Sequence, residues 1–289
     1  MTPPDPAAER RLIITADDFG ADPVVNDAVI RGHREGVLTA ASLMVGAPAA
    51  DEAVALARET PTLAVGLHLV LVDGRPLLPP ERLSHLVDAA GAFRDDMAAA
   101  GATMFFHPAA RRQLAAEIAA QFAAFHATGL PLDHVNAHKH FHMHPTIAGL
   151  ILRIGKRYGL AAARSPVEPA AVMRDIEPVE AGGGAFRAMA RAVRWRLRRA
   201  GLTVPDQTFG LRWSGAMTTP RLAGLIGRLP PGLTEIYLHP ATADAYTGSA
   251  PGYRYVEELA ALVSPQARAA VDRGRVRTGG FQTFVRAGA

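Results

Sequence analysis

Histidine is the commonest metal ligand and the side chain that most readily moves protons near neutral pH. Four of the chain's 11 histidines stand at every second position in the stretch His138-Lys139-His140-Phe141-His142-Met143-His144-Pro145. An extended strand sends alternate side chains to one face. Wound that way, the stretch lines up four imidazoles, with Val135, Ala137, Lys139, Phe141 and Met143 on the other side. Other polar points fall at the ends of other apolar runs: the pair Asp17-Asp18, then His68, then His239. One carboxylate with two imidazoles is a facial ligand set that leaves room for water and substrate, and it suits Zn²⁺ or another divalent ion accepting N and O ligands. Such an ion lowers the pKa of water toward ~7 and polarises a carbonyl oxygen. Neighbouring residues of a strand point opposite ways, so Asp17 and Asp18 should divide the work, one holding metal and the other taking a proton from water. His239 is a candidate to protonate a leaving amine or alcohol, and Arg164 could keep the base ionised by charge pairing. A single histidine such as His68 is usually a hydrogen-bonded core residue; the joint placement at several strand ends favours a metal site.

The elements that must position these groups alternate. Leu12–Ala16 is a short apolar run ending at the two aspartates. Asp22-Pro23 supplies an N-cap and first-turn proline for a helix ending at Gly36. Strands are expected at 37–45 and 63–71, with a helix at 48–60 between them. The rhythm implies a parallel sheet covered by helices, with chemistry at the C-terminal ends of the strands. Regularity lapses from Asp73 to Pro108, and a loop that long is expected to cover the active face. Leu114, Ile118, Phe122 and Phe125 recur at helical spacing within 111–128. A helix at 145–158 and a short strand at 160–164 follow. After a second irregular region at about 165–220, helices are expected at 219–228, 253–263 and 265–273, and strands at 234–238 and 275–278. Six or seven strand–helix units point to one α/β domain, 1–289, a TIM-barrel-like (β/α) barrel, distorted or short of eight regular units, with insertions at about 73–110 and 165–220.

Composition sets the class. The chain has 289 residues, 49% hydrophobic and 20% charged, with no cysteine and a net charge of +4. Without cysteine there are no disulfides, thiolate nucleophiles or Cys-based zinc sites, so any metal rests on His and carboxylate. No run reaches the roughly 18–20 apolar residues of a membrane span. The first residues lack the basic and apolar regions of a secretory signal, which makes a cytoplasmic location the expectation. The modest charge disfavours nucleic-acid binding. Arginine is concentrated in Phe186–Arg199: wound as a helix, Phe186, Ala190, Val193 and Leu197 share one face, and Arg187, Arg191, Arg194 and Arg198 form a stripe beside it. That stripe is either a solvated flank or a peripheral contact with the anionic inner face of a membrane.

Taken together, ITADDFG (14–20), the helix with Asn26, SLMVGAPA (42–49), VGLHLVL (65–71) followed by GRPL (74–77), DHVNAHKHFHMHP (133–145) and LHPA (238–241) resemble the YdjC-type carbohydrate deacetylases, in the same order from about Leu12 to Ala241. The chain is most similar to the branch associated with hopanoid biosynthesis. The resemblance implies a TIM-barrel-like fold and metal-dependent removal of an N-acetyl group from an acetamido sugar, expected to be an N-acetylglucosaminyl hopanoid lipid, with a soluble chitooligosaccharide as the alternative. It implies Asp17 as general base, a divalent metal (Zn or Mg) on Asp18, His68 and His138, and His239 as proton donor or substrate contact. Phe19, Asn26, His140 and His142 would face the substrate, and His144 would serve structure. Where the family pattern reads Asp-Ser-His-His-His-x-His, this chain has Asn136, Ala137 and Lys139 in place of the Asp, the Ser and the second His. Two other classes share the features: a non-haem Fe(II) oxygenase has the same ligand set, and a barrel that has lost activity would bind sugar or lipid without turnover.

Overall fold

In a computed structural model, which describes residues 9–180 and 183–285, the sheet is organised on β1 (Arg10–Phe19). The reading of the first eight residues, and Gly182, lie outside the described residues. Strand β1 is apolar on both faces because both are covered, as the middle strand of a parallel sheet requires. It pairs in parallel with β2 (Ala40–Leu43) on one side and β6 (Gly232–Leu238) on the other. Then β3 (Ala64–Leu69) and β4 (Val135–Ala137) extend the first side, β5 (Gln207–Phe209) the second, and β7 (Arg277–Thr278) pairs with the start of β1. The order is β4-β3-β2-β1-β6-β5.

The sheet is curled, and irregular chain spans its open side. The strand expected at 160–164 is extended backbone with isolated bridges to Val135 and Thr203. Arg164 N donates to Val135 O (3.1 Å), Thr203 N to Ala161 O (2.8 Å) and Thr208 N to Val167 O (3.0 Å). Pro166 has no N–H to lend to a ladder, which is one reason this segment does not become a regular strand.

Helices α1 (Pro23–Arg34) and α2 (Ala50–Arg58) follow β1 and β2. The α1 cap is the expected one: the Asp22 side chain accepts from Val24 N and proline holds the first turn. Leu12, Ile14 and Ala16 pack with Val25 and Val29 in the main core. On the other face of β1, Ile13 belongs to a separate apolar cluster with Ala40, Ala162, Leu233 and Phe281. Thr15, two residues on, donates to Glu235 (2.9 Å), and Asp17 follows two residues later. The period of two thus carries the concave face from apolar at the strand starts to charged at the strand ends.

Both irregular regions contain structure, and in the second the helix read over 186–199 is present. The first holds α3 (Met97–Phe106), which leads into α4 (Pro108–Ala127). Its residues are almost all small or apolar, so no polar face marks a helical period. The second holds α6 (Ala170–Arg174), α7 (Gly184–Arg199) and the three-residue β5. Periodicity does not indicate α3, α6 or β5. On α4 the expected Leu114, Ile118, Phe122 and Phe125 are buried. Between β4 and α6 lies α5 (Pro145–Gly155), and the chain ends through α8 (Thr219–Gly227), α9 (Tyr255–Val263) and α10 (Pro265–Gly274). On α7, Ala190, Val193 and Leu197 are buried as the pattern requires. Two of the four stripe arginines are committed to the protein itself: Arg194 to Asp206 O, and Arg198 to Val204 O and the Asp206 carboxylate.

Candidate active site

The two aspartates are separated by a break in β1. Register slips between Ala16 and Phe19, and Asp18 adopts φ 63°, a left-handed conformation that Asp tolerates better than most residues. The division of work expected from simple alternation is therefore made by a bulge, which re-aims one side chain.

Asp17 turns into the buried concave face. Both of its oxygens accept from the Arg164 guanidinium, and Asn136 Nδ2 donates to it at 3.1 Å. Arg164 is fully buried. It also donates through Nε to Glu235 (2.9 Å) and lies over the Tyr237 ring, 4.4 Å from its centroid. Burial by itself would raise the Asp17 carboxyl; the charge of Arg164, with His68 and His239 nearby, outweighs it and holds the group far below the usual carboxylate range. Arg164 is raised in turn, its burial outweighed by Asp17 and Glu235. The pairing expected between Arg164 and Asp17 is present.

Asp18 faces two imidazoles. Its Oδ1 lies 3.2 Å from His68 Nε2 and 3.4 Å from His138 Nδ1. One ligand atom from each residue falls within 4.8 Å of the other two. The orientation of Asn136 decides the tautomer of His68. Its Nδ2 donates to Asp17 and to Ser42 Oγ (2.9 Å), so its Oδ1 must be the atom that receives His68 Nδ1–H at 2.6 Å. Neutral His68 then points the Nε2 lone pair at a carboxylate oxygen that is itself buried without a hydrogen-bond partner. Two acceptors at 3.2 Å need positive charge between them. A proton answers that need by raising the His68 pKa: burial opposes it, and Asp17 and Asp18 overcome burial. A divalent cation answers it equally well, and the N, N, O donor set fits one.

The histidine stretch differs from the expectation. β4 ends at Ala137, and His138–Met143 is a tight 3₁₀-type turn broken at Lys139 (φ 51°) and His140 (φ 54°). The imidazoles do not share a strand face; the turn distributes them. His138 reaches Asp18. His140 Nε2 meets the Tyr237 hydroxyl at 2.6 Å, and burial together with Arg164 pushes its pKa down to about 3. His142 is buried with neither ring nitrogen partnered, and burial first, then His140, holds it well below the ordinary histidine value. His144 caps the start of α5 and packs against Phe105 and Phe141. Lys139 is ion-paired with Asp73, tying the turn to the irregular 73–110 region expected to cover the site.

His239 follows β6. Buried Glu258 accepts from its backbone N–H, and its ring sits edge-on to Tyr237 (5.8 Å) and Tyr253 (5.3 Å). Phe19 and Asn26 are corrected. Phe19 is fully buried in the main core. Asn26 is fully buried, accepting from Gly20 N (2.8 Å) and donating to Ala49 O (3.0 Å) and Glu52 (2.8 Å). Both fix the loop after the bulge, with no surface left for substrate. The residues that sequence reading leaves without a role are Ser42, Glu235 and Tyr237, and it marks Asn136 only as a departure from the family pattern. Counting back from His239 by twos along β6 reaches Tyr237 and Glu235, so the signal for those two was present. Ser42 and Asn136 join the site only through the neighbouring strands.

These features define an α/β protein with a curled parallel sheet, whose strand ends carry an arginine-paired aspartate beside a carboxylate–dihistidine group able to hold a cation. The YdjC-like protein family matches residues 11–273, and the chain belongs to it. A carbohydrate deacetylase of Geobacillus stearothermophilus is 33% identical over 260 residues, covering 89% of this chain and 90% of that protein. One from Thermoanaerobacter pseudethanolicus is 26% identical over 235 residues, covering 81% and 82%. A crystal structure from Enterococcus faecalis V583, described as a candidate cellobiose-phosphate cleavage protein, superposes with a TM-score of 0.76 at 25% identity, covering 96% of this chain and all of that one.

Proposed function

We propose that this chain is a metal-dependent hydrolase that removes the acetyl group from an acetamido sugar, with a lipid-linked N-acetylglucosaminyl hopanoid as the preferred substrate. The carbohydrate deacetylases it resembles over most of its length support the reaction class. The hopanoid assignment rests on the sequence resemblance alone. The observation that carries the mechanism is the separation of Asp17 from Asp18 by the bulge: one carboxylate is committed to an arginine, the other to two imidazoles.

Asp18, His68 and His138 would hold the cation, which when bound polarises the acetamide carbonyl and acidifies water. Asp17 takes the proton as water attacks the carbonyl carbon. Arg164 fixes both oxygens of Asp17 and keeps it ionised and aimed. Asn136 holds His68 in one tautomer and Asp17 in place. His140, carried by Tyr237, and unpartnered His142 supply neutral imidazoles beside the substrate that can donate to or accept from sugar hydroxyls. His239 delivers a proton to the nitrogen as the C–N bond breaks, giving acetate and the free amine. Acetate release from chitobiose and from N-acetylglucosaminyl hopanoid, each with and without chelator, tests the reading. Turnover that survives exhaustive chelation would remove the metal from it, and no acetate from either sugar would remove the reaction.

A further inference from the structure

The outer surface between α4, α5 and α7 holds a groove of about 520 Å³ whose walls include Arg111, Arg112, Arg153 and Arg196. Among the described residues no carboxylate lies within 4 Å of any of the four. Pro108 and Pro145 also line it, and each is the first residue of its helix. The positive ends of two helix dipoles therefore open on the same groove.

Arg196 is seated rather than loose. Its Nη1 donates to Pro145 O at 2.9 Å, and its Nη2 lies 2.6 Å from where a Cβ on residue 149 would stand. Gly149 leaves the room that the guanidinium occupies. Exposed aromatics neighbour the lining residues in the chain: Phe105 and Phe106, at the end of α3 just before Pro108, are 45% and 75% exposed, and Trp195, next to Arg196, is 63% exposed with the Arg199 guanidinium 5.4 Å from its ring centroid. Phe105 packs edge-on to His144 at 6.0 Å, and His144 closes the histidine turn. Phe105 thus links these aromatics to the histidine turn.

Unpaired arginines recognise phosphate through bidentate hydrogen bonds. Exposed large aromatics beside them match a surface that enters the headgroup region of a bilayer, whereas a site for a free soluble anion has no use for them. We propose that this groove and the exposed aromatics that neighbour it in the chain dock the protein on an anionic membrane, with the four arginines taking lipid phosphates. The docking face is then not the Arg187–Arg198 stripe, half of which is bonded to 204–206. The purpose of docking rests on the lipid-linked reading of the substrate; the docking itself does not.

The test is sedimentation of the full chain with phosphatidylglycerol-containing vesicles against phosphatidylcholine alone, at low and high salt. Binding should require the anionic lipid and weaken with salt. It should fall at least about tenfold in Arg111→Gln/Arg112→Gln/Arg153→Gln and by a smaller factor, about fivefold, in Arg196→Gln. It should not fall in Arg187→Gln/Arg191→Gln. In Trp213→Phe the emission of Trp195 should shift to the blue on vesicles and not with inorganic phosphate. Equal binding to both lipids, wild-type binding by the triple variant, or saturable phosphate binding without vesicle binding would each overturn the proposal. Chitobiose turnover by the triple variant should match wild type. If no sugar yields acetate while vesicle binding obeys these rules, the deacetylase reading falls and the docking surface stands.

Discussion

The two halves of the candidate site are built differently. Asp17, His68, Asn136 and Glu235 are carried by strands, and their side chains are bonded into one buried network with Arg164, which lies over the Tyr237 ring. His138, His140 and His142 ride on a turn with two residues at positive φ, held from outside by the Lys139–Asp73 pair and by α3 packing on His144. The strand half is charged, whereas in the turn half burial holds His140 and His142 neutral.

The sharpest way to break the comparison is to remove the centre of the strand half. Arg164→Met leaves Asp17 and Glu235 buried without their cation, and loss of one partner of a buried pair costs about 3–5 kcal/mol. The melting temperature should fall steeply, and an unchanged one would mean the network is not buried as described. Asp17→Asn keeps the shape and removes the proposed base: turnover should drop by about 10²–10⁴ while calorimetry still finds bound metal. His138→Ala, on the turn half, should lose the metal itself, and near-normal metal content would exclude it as a ligand. Asn136→Asp tests the tautomer argument. It adds a charge between His68 and Asp17, so metal affinity should change by about 10–100-fold, and ¹⁵N shifts of the His68 ring should report the altered proton position.

Two smaller effects address the turn. His142 has a depressed pKa in the fold, so the folded state binds fewer protons than the unfolded chain below the unfolded value of about 6.5. Its contribution is full above that pH and is lost as pH falls toward the folded pKa. His142→Gln should flatten the decline of stability in denaturant titrations below about pH 6.5; an unchanged slope would show that His142 is not buried neutral. Lys139→Ala breaks a half-exposed ion pair and should cost under about 1 kcal/mol of stability. If the pair positions the turn, KM should rise while kcat holds.

The legibility of the site follows the same division. β1, β3 and β6 are long apolar runs ending in polar residues, and each was readable because burial on both faces leaves no ambiguity about what such a run becomes. The ends of those runs pointed to Asp17, Asp18, His68 and His239 at once. The histidine stretch has a period of two and was misleading: its strand stops at Ala137, because Lys139 and His140 take a left-handed turn that no propensity demands. Helix α3 was invisible because it lacks a polar face. Phe19 and Asn26 carry motif positions for the sake of the loop they hold.

The sequence alone determined the α/β rhythm, the exclusion of thiol chemistry and the chemical types available at the strand ends, since these depend on local periodicity and composition. Only the tertiary structure decided which aspartate faces the arginine, how Asn136 orients His68, and that Arg111, Arg112, Arg153 and Arg196 meet in one groove. Those are distances between residues far apart in the chain, set by how the sheet curls and the helices pack against it.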